Sequence, residues 1–339
     1  MKAAVWYGGK DIRIENVPKP EIRDDEILVR VRAAGICGSE LHAYEGISER
    51  RKPPLVMGHE FAGEVADIGK QVEGFKKGDR VVIEPITRCG ICEQCLRGRG
   101  NVCRNVKLLG LHVNGAFAEY VPAPARNSYR IPDNVSYEEA STSEPLAVAV
   151  HAANRAPVKL GDSVVIIGAG IIGLNTLQVT KLAGAGKVFV TDVVDYRLDF
   201  AKKLGADVVI NSKIEDPVKK VMELTGTKGI DVALEAVGIQ ATVQQAMSMV
   251  SIGGKIIVIG MLEKTMPLGM LDVVVKELDI KGSYGYVPDD FKAALDIINN
   301  RKADVKSLVT NVLPLNDIVK GFELLHKKVE GVIKVVLKP

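Results

Sequence analysis

The sequence predicts an α/β protein of two domains, one rich in short strands and one built on a doubly wound parallel sheet. Three observations predict it. From residue 161, apolar β-branched runs recur with helical stretches between them: 163–168, 187–192, 207–210, 231–238, 255–261 and 278–284. Fully apolar strands alternating with helices indicate a parallel sheet covered on both faces, and six of them fit two mononucleotide-binding halves. Before about residue 150 the chain instead alternates in short strands bounded by Gly and Pro, as in 26–33, 61–69 and 78–85. Finally, the 339 residues suffice for two cores, with 47% apolar and 26% charged residues, as in globular proteins.

Taken in order, the N-terminus (1–17) alternates like a first strand, and 136–156 reads as one helix with Pro145 near the start of its apolar section. Helices are expected at 174–184, 196–204 and 217–225. After about 290 a helix, mixed segments and a last strand close the chain. The domain boundary is placed at 150/151. The net charge of +3, from 45 basic and 42 acidic residues, gives no reason to expect nucleic-acid or membrane-surface binding. No apolar run has transmembrane length and no signal-peptide core is evident, so a cytoplasmic setting is expected. Clustered cysteines there point to metal or catalysis rather than disulfides.

In "VVIIGAGIIG", Gly168, Gly170 and Gly173 have G-x-G-x-x-G spacing between a strand and the helix expected over 174–184, with Ile171 and Ile172 in the turn as further cofactor-binding candidates. The glycines allow the tight turn, the approach of a pyrophosphate and close helix–strand packing. Asp192 ends the next strand, where a carboxylate accepts from the adenosine ribose and repels a 2′-phosphate, favouring NAD over NADP. Arg197, close by, could stack on adenine or be solvated.

Cys89, Cys92, Cys95 and Cys103 follow C-x2-C-x2-C-x7-C. Four thiolates suit tetrahedral Zn²⁺ in a closed structural site. An iron–sulfur cluster is the alternative, although ferredoxin runs continue with x3-C-P. Arg88, Arg97, Arg99 and Arg104 have no aromatic residues among them, so they read as solvating a lobe rather than binding nucleic acid. The fifth cysteine, Cys37, lies near Ser39, Glu40 and His42, with His59 and Glu60 further on. Thiolate, imidazole and carboxylate could make an open three-ligand zinc site. On spacing alone, unrelated core residues are the commoner outcome.

"GHEFAGEVADIGKQV" matches G-H-E-x2-G-x5-G-x2-V from Gly58 through Gly63 and Gly69 to Val72. With the cysteine lobe, the glycine turn and "CGSELH" in the same order, the whole chain resembles the zinc-containing medium-chain alcohol dehydrogenases. That resemblance implies a GroES-like catalytic domain (1–150, completed by 287–339) with a Rossmann NAD-binding domain (151–286) inserted. It implies two zinc ions per chain, with Cys37 and His59 as catalytic ligands and Glu60 or Glu144 completing the set. Glu144-Pro145, where the classical members have cysteine, resembles the polyol, butanediol and threonine dehydrogenase branch. Ser39 and His42 match a proton relay. Glu40 departs from the usual Asp that orients the histidine ligand, and its longer arm puts that orienting geometry, not the zinc itself, in question.

The activity implied is hydride transfer from a secondary alcohol or polyol to NAD⁺, giving a ketone. Simple alcohols or a sugar-phosphate alcohol are the alternatives. A homo-oligomer, tetramer or dimer, is implied too. A zinc-independent reductase would lack Cys37, His59 or the lobe cysteines. His112 and Tyr284 are expected near the substrate pocket, His112 with equal weight as an ordinary loop histidine.

Overall fold

In the computed structural model, which describes residues 1–339, the alternating N-terminus forms β1 (Lys2–Gly8) and β2 (Asp11–Asn16), paired antiparallel. β3 (Glu26–Gly35) then leads into α1 (Gly38–Tyr44), and β4 (Leu55–Val56) pairs with the other edge of β1. β5 (Glu60–Ile68) and β6 (Arg80–Ile83) follow. The cysteine lobe holds β7 (Ile86–Thr87), α2 (Glu93–Leu96) and β8 (Lys107–Leu108). β9 (Tyr120–Pro124) and β10 (Ser128–Arg130) return to the sheet around β3. β3 runs two residues past the expected end because Ala34 and Gly35 are buried and paired, which carries the chain directly to Cys37.

The helix expected over 136–156 is two: α3 (Tyr137–Ser141) and α4 (Ser143–Arg155). Three consecutive hydroxyls cause the break. Ser141, Thr142 and Ser143 donate to the carbonyls of Glu138, Glu139 and Ala140 at 2.8, 2.6 and 2.7 Å, competing with the helical ladder. Glu144 therefore sits in a fresh first turn.

Beyond it, α/β alternation is regular. The elements are β11 (Ser163–Ile167), α5 (Ile171–Leu182), β12 (Lys187–Asp192), α6 (Asp195–Lys203), β13 (Val208–Asn211), α7 (Pro217–Leu224), β14 (Ile230–Glu235), α8 (Gln240–Met249), β15 (Val250–Val258), α9 (Met270–Val275) and β16 (Asp279–Gly282). All strand pairs are parallel, in the order β13-β12-β11-β14-β15-β16. This is the doubly wound order with its switch point between β11 and β14. Val165, Phe189, Ala233 and Ile256 are fully buried in its core.

α10 (Pro288–Asn299), β17 (Val309–Pro314), α11 (Ile318–His326) and β18 (Lys334–Lys338) end the chain. β18 pairs antiparallel with β3 (Leu337 opposite Ala34) and parallel with β17, so the last residues complete the first unit's sheet. The chain divides into Met1–Glu144 with Val287–Arg301 and Val305–Pro339, and Pro145–Tyr286 with Lys302–Asp304. The boundary thus falls at 144/145 instead of 150/151. Glu144 is buried with first-unit groups, while α4 from Pro145 onward belongs to the second unit.

Candidate metal centres and dinucleotide site

Cys37 is the N-cap of α1, extended at φ −89°, ψ 153°, and its Sγ accepts from the Ser39 N–H at 3.5 Å. Glu40, at the third helical position, closes a capping box by accepting from the Cys37 N–H at 2.9 Å with Oε2. Its Oε1 accepts from the Gly58 N–H at 2.8 Å and lies 2.7 Å from His59 Nδ1. One fully buried carboxylate therefore joins the segments that carry Cys37 and His59, leaving His59 Nε2 as the atom that could face a metal. The longer arm of glutamate does not disturb this geometry. A carboxylate at the third helical position must reach back to the N-cap, and from there it spans to the imidazole.

Gly58 has φ +97°, and a Cβ there would lie 2.7 Å from the Phe117 ring, so only glycine fits before the histidine.

Cys37, His59 and Glu60 each bring a ligand atom to within 4.8 Å of the others, separations that small shifts close around one ion. The electrostatics fit a cation. Burial acts to lower the His59 imidazole, but Glu40 and Cys37 outweigh it and hold His59 well above its usual value. Burial pushes the Glu144 carboxyl up to about 7, and neighbouring Glu60 adds to the push. The negative charge of Glu40 and Cys37 that draws a proton onto the His59 imidazole would draw a metal ion by the same attraction. Glu144 is buried within reach of His59, Glu60 and Lys334, but it is not one of the three groups whose ligand atoms converge.

Ser39 and His42 lie three residues apart on α1, hence on one face. They are not hydrogen-bonded to each other. Ser39 Oγ accepts instead from Arg51 Nη2 at 3.2 Å. His42 is half-buried and its pKa is lowered, first by burial and then by Arg51 against the opposing pull of Glu45. His112 is exposed, and its Nδ1 accepts from the Leu108 N–H at 3.0 Å, which makes it the satisfied loop histidine of the two readings. Tyr284 is 37% exposed in the second unit.

Sequence reading missed two buried cations. Arg51 donates to Gly110 O at 2.9 Å and Ser39 O at 2.8 Å, and Lys334 pairs with Glu60. Arg51 looks like surface in "SERRK". Lys334 does leave a signal, as one charge within the otherwise apolar "VIKVVL".

In the lobe, the Cys103–Cys89, Cys92–Cys95, Cys92–Cys103 and Cys89–Cys95 sulfurs are 3.4, 3.5, 3.8 and 4.0 Å apart. Four thiolates around one zinc with bonds of about 2.3 Å would be spaced by about 3.8 Å. The sulfurs lie too close together to enclose a multi-iron cluster. Backbone N–H groups of Cys95 and Arg104 bring the Cys92 thiol down to about 6, which favours the thiolate a metal needs. Three of the four lobe arginines are paired. Arg97 and Arg104 lie 3.0 and 3.9 Å from Glu93, and Arg88 lies 2.5 Å from buried Glu84.

In the second unit, Gly168 directly follows β11 at φ +98° and Gly170 is the N-cap of α5. A Cβ on Gly173 would lie 1.7 Å from Gly168 O. The first-turn amides of Ile171, Ile172 and Gly173 are those without intrahelical partners, suited to a pyrophosphate. Asp192 Oδ2 accepts from the Ala169 N–H at 2.6 Å, and Oδ1 from Val193 and Val194 at 2.7 and 3.0 Å. It therefore ties the glycine turn to the following loop while retaining acceptor capacity for a ribose.

The alcohol dehydrogenase GroES-like domain family matches residues 23–133, and the zinc-binding dehydrogenase family matches residues 172–300. Sorbitol dehydrogenase of Bacillus subtilis is 37% identical over 347 residues, covering 100% of this chain and 97% of that protein. The chain belongs to the zinc-binding dehydrogenases. Among solved structures, 2R,3R-butanediol dehydrogenase from Bacillus subtilis superposes with TM-score 0.92 at 35% identity, covering 100% of this chain and 99% of that one. A zinc-binding dehydrogenase from Sinorhizobium meliloti 1021, bound to NADP, gives TM-score 0.94 at 30% identity with 100% and 99% coverage. As a zinc-binding dehydrogenase the chain is an oxidoreductase that uses zinc and a nicotinamide dinucleotide. No helix is long and apolar enough to cross a membrane.

Proposed function

We propose that this dehydrogenase oxidises a secondary alcohol bearing a neighbouring hydroxyl or amine, a polyol-, butanediol- or threonine-like substrate, to a ketone with NAD⁺. The observation that carries the reading is the donor set: Cys37 and His59 accompanied by two buried carboxylates, Glu60 and Glu144. The groups these residues would hold supply Lewis acidity at the substrate hydroxyl and a hydride acceptor. Ser39 Oγ, steadied by Arg51, takes the substrate's hydroxyl proton, and His42 carries it outward. Burial keeps the His42 imidazole neutral and able to accept. A set with two carboxylates is harder than one with two thiolates and accommodates an extra oxygen donor, so a vicinal diol can be held through two atoms. Sorbitol and butanediol, named in the relatives, both carry such pairs.

The test is a panel of 2,3-butanediol, sorbitol, L-threonine and ethanol. A vicinal substrate should exceed ethanol in kcat/KM by at least about tenfold, roughly 1.4 kcal/mol. Glu144→Ala should lower kcat strongly while the lobe zinc stays bound. Ethanol as the best substrate, or near-normal turnover in Glu144→Ala, would leave only the family assignment standing.

The NAD⁺ preference rests on Asp192, whose negative charge would repel a 2′-phosphate. Asp192→Ala is expected to raise KM for NAD⁺ by at least about tenfold, since it removes hydrogen bonds to a charged acceptor, and to relax discrimination against NADP⁺. A wild-type enzyme preferring NADP⁺ would overturn the assignment.

A homo-oligomer, dimer or tetramer, fits the apolar face of α9, where Leu271 and Val275 are 76% and 69% exposed near the open edge strand β16. Val275→Glu should lower the mass measured by light scattering. A monomeric wild type would refute the reading.

A further inference from the structure

β18 opens with a lysine inside the core. Lys334 is 1% exposed, followed by fully buried Val335, Val336 and Leu337. Its Nζ donates to Ile36 O at 2.9 Å and to Glu60 Oε2, both groups buried. The pair is built into the seam between β3 and β18. A Cβ on Gly35 would lie 2.5 Å from Glu60 Oε2 and 2.8 Å from Lys334 Cε, so a larger residue there would have to displace the ammonium and carboxylate.

A buried ammonium is costly to desolvate, and a hydrophobic residue would serve β18 at least as well for packing alone. Its position points to another use. Ile36, its second acceptor, directly precedes Cys37, and Glu60 directly follows His59. Lys334 thus holds both ligand-bearing segments, and it occupies one oxygen of the one carboxylate in the converging set.

We propose that Lys334 is a positioning residue that assembles the Cys37–His59–Glu60 site before metal arrives and, by retaining Glu60 Oε2, keeps Glu60 a weak, displaceable metal ligand. The ammonium and a bound zinc would share one carboxylate and would repel each other across it in a medium of low dielectric. The lysine therefore stabilises the metal-free pocket and loosens the ion's hold. This rests on the zinc reading of the site.

The experiment measures zinc affinity at the non-lobe site by chelator competition at pH 8, in the full-length enzyme retaining its lobe zinc. Lys334→Met should bind zinc at least about tenfold more tightly, while its metal-free form melts at lower temperature than metal-free wild type. Lys334→Arg should restore wild-type affinity, and Glu60→Gln/Lys334→Met should lose the gain. A purely structural lysine would instead give Lys334→Met unchanged or weaker zinc binding, and that result overturns the proposal. Lys334→Gln is read by the same criterion if the Met variant does not fold. A wild-type enzyme that binds no second zinc refutes the zinc reading and takes this inference with it. A normal second zinc with no tightening in the variant refutes the inference alone.

Discussion

Glu40→Ala is expected to destabilise the first unit by about 3–5 kcal/mol, the range for breaking a buried charge pair. It should also weaken zinc binding at the proposed Cys37–His59–Glu60 site by about 10–100-fold, the range for loss of an outer partner of a ligating histidine. The side chain makes no proposed substrate contact, so the effect comes through what it holds. Its removal takes the acceptor from the Cys37 and Gly58 amides and from His59 Nδ1, all inside the core. It also leaves Arg51, 2% exposed, without the carboxylate 3.8 Å away. Denaturant midpoints with and without metal, together with zinc content, check both parts. Glu40→Asp refines the test. It keeps the charge but shortens the arm that spans the N-cap and the imidazole, so stability should fall less than in Glu40→Ala while zinc affinity still drops. A Glu40→Ala protein with unaltered midpoint and full zinc would show that the carboxylate is incidental.

That variant also marks where sequence reading stopped. The doubly wound sheet was legible because strands buried on both faces must be continuous apolar runs, and because Gly173 can be replaced only at the cost of a clash with Gly168 O. The cysteine lobe was legible because four thiolates at close spacing serve little else. The helix over 136–156 was misread because apolar periodicity does not register three adjacent hydroxyls turning back on their own carbonyls. α1, seven residues long, is too short to show a period. The longer arm of Glu40 put its contact with the histidine in question because sequence alone does not place it at the third helical position, where its length is what lets it reach both the N-cap and His59. Arg51 and Lys334 were missed because a buried charge and a solvated one look alike in sequence. Only the partners, Ser39 and Gly110 for one and Glu60 and Ile36 for the other, distinguish them.

The two candidate metal centres differ in the same terms, and chelation should separate them. The lobe closes on four sulfurs 3.4–4.0 Å apart, all of them potential donors to one ion. The other site converges only Cys37, His59 and Glu60, and Glu60 is already shared with Lys334. Three donors, one of them divided, leave a coordination position open to water or a chelator. Mild chelation is therefore expected to remove one zinc per chain first and to lower turnover by at least about 10³-fold, roughly 4 kcal/mol of lost transition-state stabilisation. The lobe zinc and the circular-dichroism spectrum should persist, and added zinc should restore activity. A thiol-specific mercurial reagent should then release the second equivalent, with loss of lobe structure around β7 and β8. Activity that survives loss of the first zinc would remove the Cys37–His59–Glu60 centre from the chemistry. Both ions leaving together, or iron with visible absorbance in place of either, would show that four sulfurs and three mixed donors do not make the closed and open sites inferred from their geometry.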